Sequence, residues 1–439
     1  MTTILAHRVY RHLFLAQVIA LVGTGLATVA LGLLAFELAG PQAGSVLGTA
    51  LAIKMLAYVG VAPVASAFAD RVPRRALLVA LDLVRASVAI LLPFVTQVWQ
   101  VYLLIFVLQS ASAAFTPTFQ ATIPDVLPDE RDYTRALSLS RLAYDLESLL
   151  SPALAALLLT VVSFHDLFAG TAIGFIASAA LVVTVMLPSP RPAEYRGIYD
   201  RTTRGIRIFF ATPRLRALLA LNIAIASASA MVIVNTVVMV QGIAGLSARE
   251  TAFALAAFGA GSMVVALSLP RLLDTLPDRR VMLVGATLLS LGLFAGTLGP
   301  GYAGMLPLWF VLGLGYSLAQ TPSGRLLRRS AHPEDRPALF AAQFALSHAC
   351  WLLTYPLAGW LGARLGVTTT FTVLGVLATV GAIAAARIWP RSDPDVLDHE
   401  HRLDGSHPHV ADATLQGETR RHAHAFVIDR EHPQWPRTP

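Results

Sequence analysis

The chain has 439 residues, of which 55% are apolar and only 13% charged, roughly half the charged share of an ordinary soluble domain. Its mean hydropathy is +0.63, so little of its surface is built to face water. The single cysteine, Cys350, excludes an internal disulfide, and the formal net charge of +7 raises nucleic-acid binding, which the placement of the arginines argues against.

In chain order, apolar runs long enough to cross a hydrocarbon core about 30 Å thick fall at 14–38, 44–68, 76–96, 99–121, 138–161, 167–187, 215–240, 251–270, 281–299, 305–324, 338–361 and 367–389. Each is expected to be helical, because a spanning segment must satisfy its own backbone groups and none shows the alternation of a membrane barrel. The first run lies behind a basic front but has no small-residue cleavage site, so it is expected to be a retained span. The second holds Lys54, the only lysine. The third holds Asp82 and Arg85, three apart on one helix face and able to pair.

The fifth run opens with Arg141, Asp145 and Glu147. Arg141 and Asp145 are four apart and can neutralise each other, whereas Glu147 points away from Asp145 and has no basic partner on its own helix. Intramembrane charges are costly and mark candidate substrate or proton sites. Lys54, Asp145 and Glu147 are such candidates. In the seventh run Met231, Asn235 and Met239 recur every four residues as one stripe, and in the eleventh His348 and Cys350 stand two apart and point different ways.

Orientation follows from arginine. With the N-terminus in the cytoplasm, the cytoplasmic stretches before residue 390 hold 21 arginines and the opposite side only two, Arg249 and Arg364. That bias accounts for the positive charge as topology and lipid contact, not nucleic-acid binding. An internal repeat supports an even division. Thr116-Pro117 and Pro128…Arg131 recur 205 residues later as Thr321-Pro322 and Pro333…Arg336, and Asp70…Arg75 is echoed by Asp274…Arg280. The expected organisation is two six-helix halves, 1–187 and 215–390, joined by a cytoplasmic linker at 188–214.

After Trp389-Pro390 the composition turns polar. Residues 391–439 carry seven of the twelve histidines: His399, His401, His407, His409, His422, His424 and His432, with carboxylates between them. Imidazole with carboxylate suits nickel, cobalt, zinc or copper, so the tail is a candidate metal ligand. The apolar residues between His424 and Pro436 are expected to dock on something.

The loop after the second span, Ser66-x-x-x-Asp70-Arg71-x-x-Arg74-Arg75, resembles the signature loop of the major facilitator superfamily, with Ser66 where the family has glycine. The likeness covers residues 1 to about 390 and is nearest to the drug, siderophore and nickel or cobalt exporters. It implies an all-α fold of twelve membrane helices, a charge clamp made by Asp70, Arg71, Arg74 and Arg75, a seventh helix facing a central cavity, and proton-coupled antiport. The expected protein is a monomeric exporter of the inner membrane with both termini cytoplasmic, no cofactor and no nucleic-acid partner. Its cargo is expected to be a divalent transition metal, or in the alternative an amphipathic drug or siderophore. No phosphate-binding P-loop, nucleophile elbow or zinc-protease motif is present, which argues against an enzyme.

Overall fold

The computed structural model describes residues 2–39, 43–69, 71–188, 197–393, 396–401, 414–416, 419–429, 432 and 434–436. The apolar runs become helices. In order these are α1 Thr2–Leu5, α2 Arg8–Ala39, α3 Ala43–Ala69, α4 Arg74–Leu91, α5 Val98–Val126, α6 Glu130–Leu158, α7 Phe164–Val183, α8 Ile198–Ala211, α9 Pro213–Val237, α10 Ala248–Thr275, α11 Asp278–Gly296, α12 Tyr302–Gln320, α13 Ser323–Arg329, α14 Arg336–Leu365 and α15 Val367–Ile388. Several outrun their apolar stretch because polar residues cap them. Asp129 accepts the Asp132 N–H at 2.9 Å and starts α6 at Glu130, well ahead of the apolar run at 138.

Eleven helices of the described chain are long and apolar enough to cross a membrane. The 29-residue α6 is also long enough, about 43 Å at about 1.5 Å per residue. Its charged residues, Arg141, Asp145 and Glu147 among them, keep it outside that set.

The helices pack in two groups. In the first, α7 lies against α2 and α4, and α5 against α3 and α4; in the second, α9 lies against α14 and α15, and α12 against α10 and α11. The first group is filled around Leu34, Leu92 and Phe168 at one level and Tyr10, Leu78 and Tyr133 at another. The second is filled around Leu221, Trp309 and Phe371. Close approach within it depends on small residues. Gly261 of α10 abuts the Phe310 carbonyl of α12, and Gly313 of α12 abuts the Phe258 carbonyl of α10, leaving no room for a Cβ at either. The groups meet where α14 packs on α3 and α5, and where α6 packs on α10.

The 188–214 linker contains a helix that its composition did not announce. α8 buries Ile208 and Phe209 and packs on α3 and α14.

The described residues of the tail include a small sheet. Strands β1 Val396–His401, β2 Thr414–Gln416 and β3 Thr419–Ala425 form an antiparallel sheet in the order β1-β3-β2. Beyond β3, Phe426, Val427 and Ile428 are buried, Phe426 and Ile428 in the core of the second helix group. Polar contacts hold the tail there. Asp393 accepts from Arg214 at 3.1 Å and from the Trp389 indole at 3.0 Å, and the Arg214 guanidinium lies 5.0 Å over the Trp435 ring. Asp429 accepts from the His432 backbone at 2.7 Å and its Nδ1 at 2.9 Å, and stands 3.5 Å from His332 Nε2 in the α13–α14 turn.

The hydrogen bond to Asp429 raises the His332 pKa above its ordinary value, against a smaller opposing effect of burial. Burial pushes the Asp429 carboxyl up, but hydrogen bonds from His332 and His432 outweigh it and hold it well below the usual carboxylate range. The His332 contribution is therefore complete below about pH 6.5, the ordinary histidine value, and is lost as pH rises through the elevated one. Protease release of the tail from the intact protein is expected to be faster at about pH 8 than at about pH 6. In His332→Gln the ratio of the two rates is expected to fall, with His432 still paired to Asp429.

Candidate functional site

Within the first helix group, α4 carries Asp82 and Arg85 as a buried ion pair. Ser178 of α7 donates to Asp82 Oδ2 at 2.7 Å, and the Arg85 guanidinium sits between the rings of Phe115, 4.0 Å away, and Phe175, 4.5 Å away. A charge so enclosed is a structural tie between α4, α5 and α7.

The second intramembrane pair crosses between the groups. Arg141 of α6 is paired with Asp145 one turn on. It also donates from Nε to Ser262 Oγ of α10 at 3.1 Å and from Nη1 to Tyr316 Oη of α12 at 3.2 Å, with its guanidinium 4.6 Å over the Tyr316 ring. Asp145 is buried, and its Oδ2 has no hydrogen-bond partner among the described residues.

An aromatic face runs along α14. Phe344, His348, Trp351 and Tyr355 follow at intervals of four, three and four residues, which stacks them on one side of the helix. Successive ring centroids lie 4.2, 5.0 and 6.3 Å apart. Tyr58 of α3 closes on this face, 4.8 Å from Phe344 and 4.7 Å from His348, and its hydroxyl donates to Gln109 Oε1 of α5 at 2.9 Å. The Phe344 carbonyl, 2.7 Å from His348 Nδ1, can only accept, so Nδ1 carries the proton. Lys54 Nζ lies 5.6 Å over the Tyr58 ring. Its charge acts on both His348 and Glu147, and Glu147 is hydrogen-bonded to Ser151. Lys54 of α3 thus acts electrostatically on both Glu147 of α6 and His348 of α14, and Asp145 belongs to the Arg141 contact.

The other candidates lie elsewhere. Cys350 is buried, on a different side of α14 from the aromatic face. Met231 and Asn235 are buried in the second group, where Asn235 Nδ2 donates to the Ala358 carbonyl at 3.3 Å, and Met239 packs against the same core. No cluster of three or more His, Cys, Asp or Glu able to hold a metal occurs among the described residues. His407 and His409 lie outside the described residues, as do the side chains of His399, His401 and His422; His424 and His432 are in the docked tail with their rings 5.0 Å apart.

At the arginine-rich end, ion pairs join the two groups. Asp125 of α5 takes Arg74 at 2.5 Å and also pairs with Arg336 of α14. Arg325 of α13 pairs with Glu130 of α6 and with Asp278 of α11 at 2.9 Å, and donates to Thr134 Oγ1 at 2.6 Å. Arg131 of α6 meets Asp274 of α10 at 3.3 Å, and Arg328 donates to the Pro128 carbonyl. Of the signature loop, Arg74 takes part in this network, Arg71 lies over the Phe68 ring at 5.3 Å, Arg75 is exposed and Asp70 lies outside the described residues. The network's acids and the aromatic face escaped the sequence reading. The i, i+4, i+7, i+11 spacing of 344, 348, 351 and 355 was the available signal for the latter.

The profile described as Major Facilitator Superfamily matches residues 13–277 and 219–408. The chain is 24% identical over 381 residues to the Bacillus subtilis uncharacterized MFS-type transporter YfiS, covering 83% of this chain and 89% of that one. It is 26% identical over 152 residues to macrolide efflux protein A of Enterococcus faecalis, covering 32% of this chain and 47% of the relative. Among solved structures, the human organic anion transporter MFSD10 superposes with a TM-score of 0.74 at 12% identity, over 86% of this chain and 99% of that one. The Escherichia coli fucose:proton symporter FucP superposes with a TM-score of 0.69 at 12% identity, over 87% and 98%. Those two likenesses show the fold.

The Asp82–Arg85 tie has a measurable consequence. Asp82→Ala leaves an uncompensated buried guanidinium and is expected to cost roughly 3–5 kcal/mol, read as a lower midpoint in thermal unfolding of the purified protein.

Proposed function

Because the chain belongs to the major facilitator superfamily and is therefore an integral membrane transporter, not an enzyme, we propose that it is a proton-coupled exporter of amphipathic organic compounds that works by alternating access. In this reading α6 completes twelve spans and residues 1–187 and 215–390 are the two halves. The arginine-rich end and both termini face the cytoplasm, in an inner membrane, and a monomer is the working unit. The observation that carries the reading is the set of ion pairs between the halves at the arginine-rich end: Asp125 with Arg336, Glu130 with Arg325 and Arg131 with Asp274. Arg131 and Asp274 are already largely exposed, whereas Asp125 and Arg336 are enclosed while the end is closed and would be hydrated as the halves part in a rocking motion.

The cargo class rests on the aromatic face. Tyr58, His348, Trp351 and Tyr355 offer flat, polarisable surfaces with a few polar anchors, the usual make-up of an organic-ligand site. A macrolide efflux protein among the relatives points the same way. Glu147, on which the Lys54 charge acts, is the proposed proton carrier. Asp145 is the second, since its protonation would release Arg141 from its counter-ion and weaken the tie to Ser262 and Tyr316. A metal cargo is the second reading, favoured by the tail histidines.

Inverted vesicles carrying the protein separate these readings. A proton gradient is expected to drive uptake of a lipophilic aromatic dye, and Glu147→Gln is expected to lower it on the order of tenfold, equivalent to about 1.4 kcal/mol in a barrier. Gradient-driven uptake of Ni²⁺ or Co²⁺ without dye uptake would replace the organic cargo with the metal. Dye uptake indifferent to the gradient would remove proton coupling.

A further inference from the structure

Between α6 and α10, at the arginine-rich end, lies a cavity of about 270 Å³, bordered by the Arg131–Asp274 pair. Arg131 and Arg135 of α6 and Arg271 of α10 line it, with Leu267 and Pro270 as its apolar wall and Asp274 as its only lining acid. From this we infer that the cavity binds the headgroup phosphate of an anionic phospholipid, which bridges the two halves. The inference rests on the alternating-access reading only for the consequence of binding, not for the binding itself.

Three features give the ligand class. The first is charge. Three guanidiniums meet two carboxylates here, Asp274 beside Arg131 and Asp132, which holds Arg135 at 2.9 Å with both side chains over a third exposed, so the cavity keeps one positive charge in excess. The Arg131–Asp274 pair is open to exchange, because its side chains are 74% and 47% exposed and such pairs exchange readily. The planar fork of a guanidinium matches a phosphate in two-point contact.

The second is the order of side chains along the helices. On α10, Phe253, Val264, Leu267 and Arg271 share one face by helical spacing. Val264 and Leu267, within about 11 Å of Arg271 along the helix, are 49% and 58% exposed and are placed to meet the acyl chains of a lipid held there, whereas Phe253 lies near the other end of the helix. On α6, Leu146 shares a face with Arg135, eleven residues away, and is also exposed. Both helices therefore present apolar surface that ends in arginine, which is the layout of a phospholipid from chain to headgroup. A soluble phosphate would have no use for the apolar track.

The third is position. The lining comes from both halves, and the ends of α6 and α10 must part when the arginine-rich side opens. A headgroup held by Arg131 and Arg135 on one side and Arg271 on the other adds a contact that only the closed arrangement has. Anionic lipid thus favours the state closed at this end.

The test uses the full-length protein in nanodiscs of phosphatidylcholine with a minor share of phosphatidylglycerol. Native mass spectrometry then counts the lipid retained on release. Wild type is expected to keep phosphatidylglycerol in preference to phosphatidylcholine. The combined variant Arg131→Gln, Arg135→Gln, Arg271→Gln is expected to lose that preference, and the control Arg8→Gln, Arg11→Gln, Arg280→Gln to keep it. Equal retention of the two lipids by wild type, or preference surviving in the triple variant, overturns the site. Displacement by inorganic phosphate as effective as by phosphatidylglycerol overturns the lipid as ligand. None of these readouts needs transport, so failure of the exporter reading is separately visible in the vesicle assay.

Discussion

Asp125 is held between two arginines, Arg74 from its own half and Arg336 from the other. The carboxylate cannot leave either without consequence: a largely enclosed acid needs counter-charge, and one of its partners sits in the other helix group. The closed end depends on this shared acid and on the pairs around it, Arg325 with Glu130 and Arg131 with Asp274. Within the bilayer the same constraint takes a different form. Asp82 and Arg85 are sealed with Ser178 and two phenylalanine rings on one side of the molecule. Arg141 and Asp145 are sealed only by reaching across to Ser262 and Tyr316. The first pair lies wholly within one helix group, and the second touches both.

Two helices connect the closed end to the middle of the membrane. α6 carries Glu130 and Arg131 at its start and Arg141, Asp145 and Glu147 further in; α14 carries Arg336 at its start and the aromatic face from Phe344 to Tyr355 further in. A rigid helix that tilts moves both ends together. In the proposed mechanism such a tilt would couple Glu147 and His348 to the ion pairs without a separate pathway. The docked tail sits beside this machinery, because His332, which meets Asp429, lies in the turn between Arg329 and Arg336.

Much of the architecture was legible in the sequence because the bilayer imposes a length and a polarity on each span. The apolar runs located the membrane helices, and the arginine bias distinguished their two ends. The Asp82–Arg85 and Arg141–Asp145 pairs were legible because three- and four-residue spacings are physical neighbours on a helix. The tail's apolar end was expected to dock, and Phe426 and Ile428 do. What escaped has a common cause. Asp125 with Arg336, Arg141 with Tyr316 and Tyr58 with His348 join residues far apart in the chain, so no local periodicity announces them. α8 escapes the sequence because a helix that buries Ile208 and Phe209 against α3 and α14 reads in isolation as a charged linker. The stripe Met231, Asn235 and Met239 is real, but it packs in the core of the second group.

The central claim is that shared ion pairs hold the arginine-rich end closed and that their loss opens it. Distances between spin labels placed at positions 76 and 333, on a Cys350→Ala background, report that opening directly. Asp125→Asn removes the counter-charge from Arg74 and Arg336 together, and the account predicts a new population at longer distance in the substrate-free protein. A distance distribution unchanged by Asp125→Asn would contradict it.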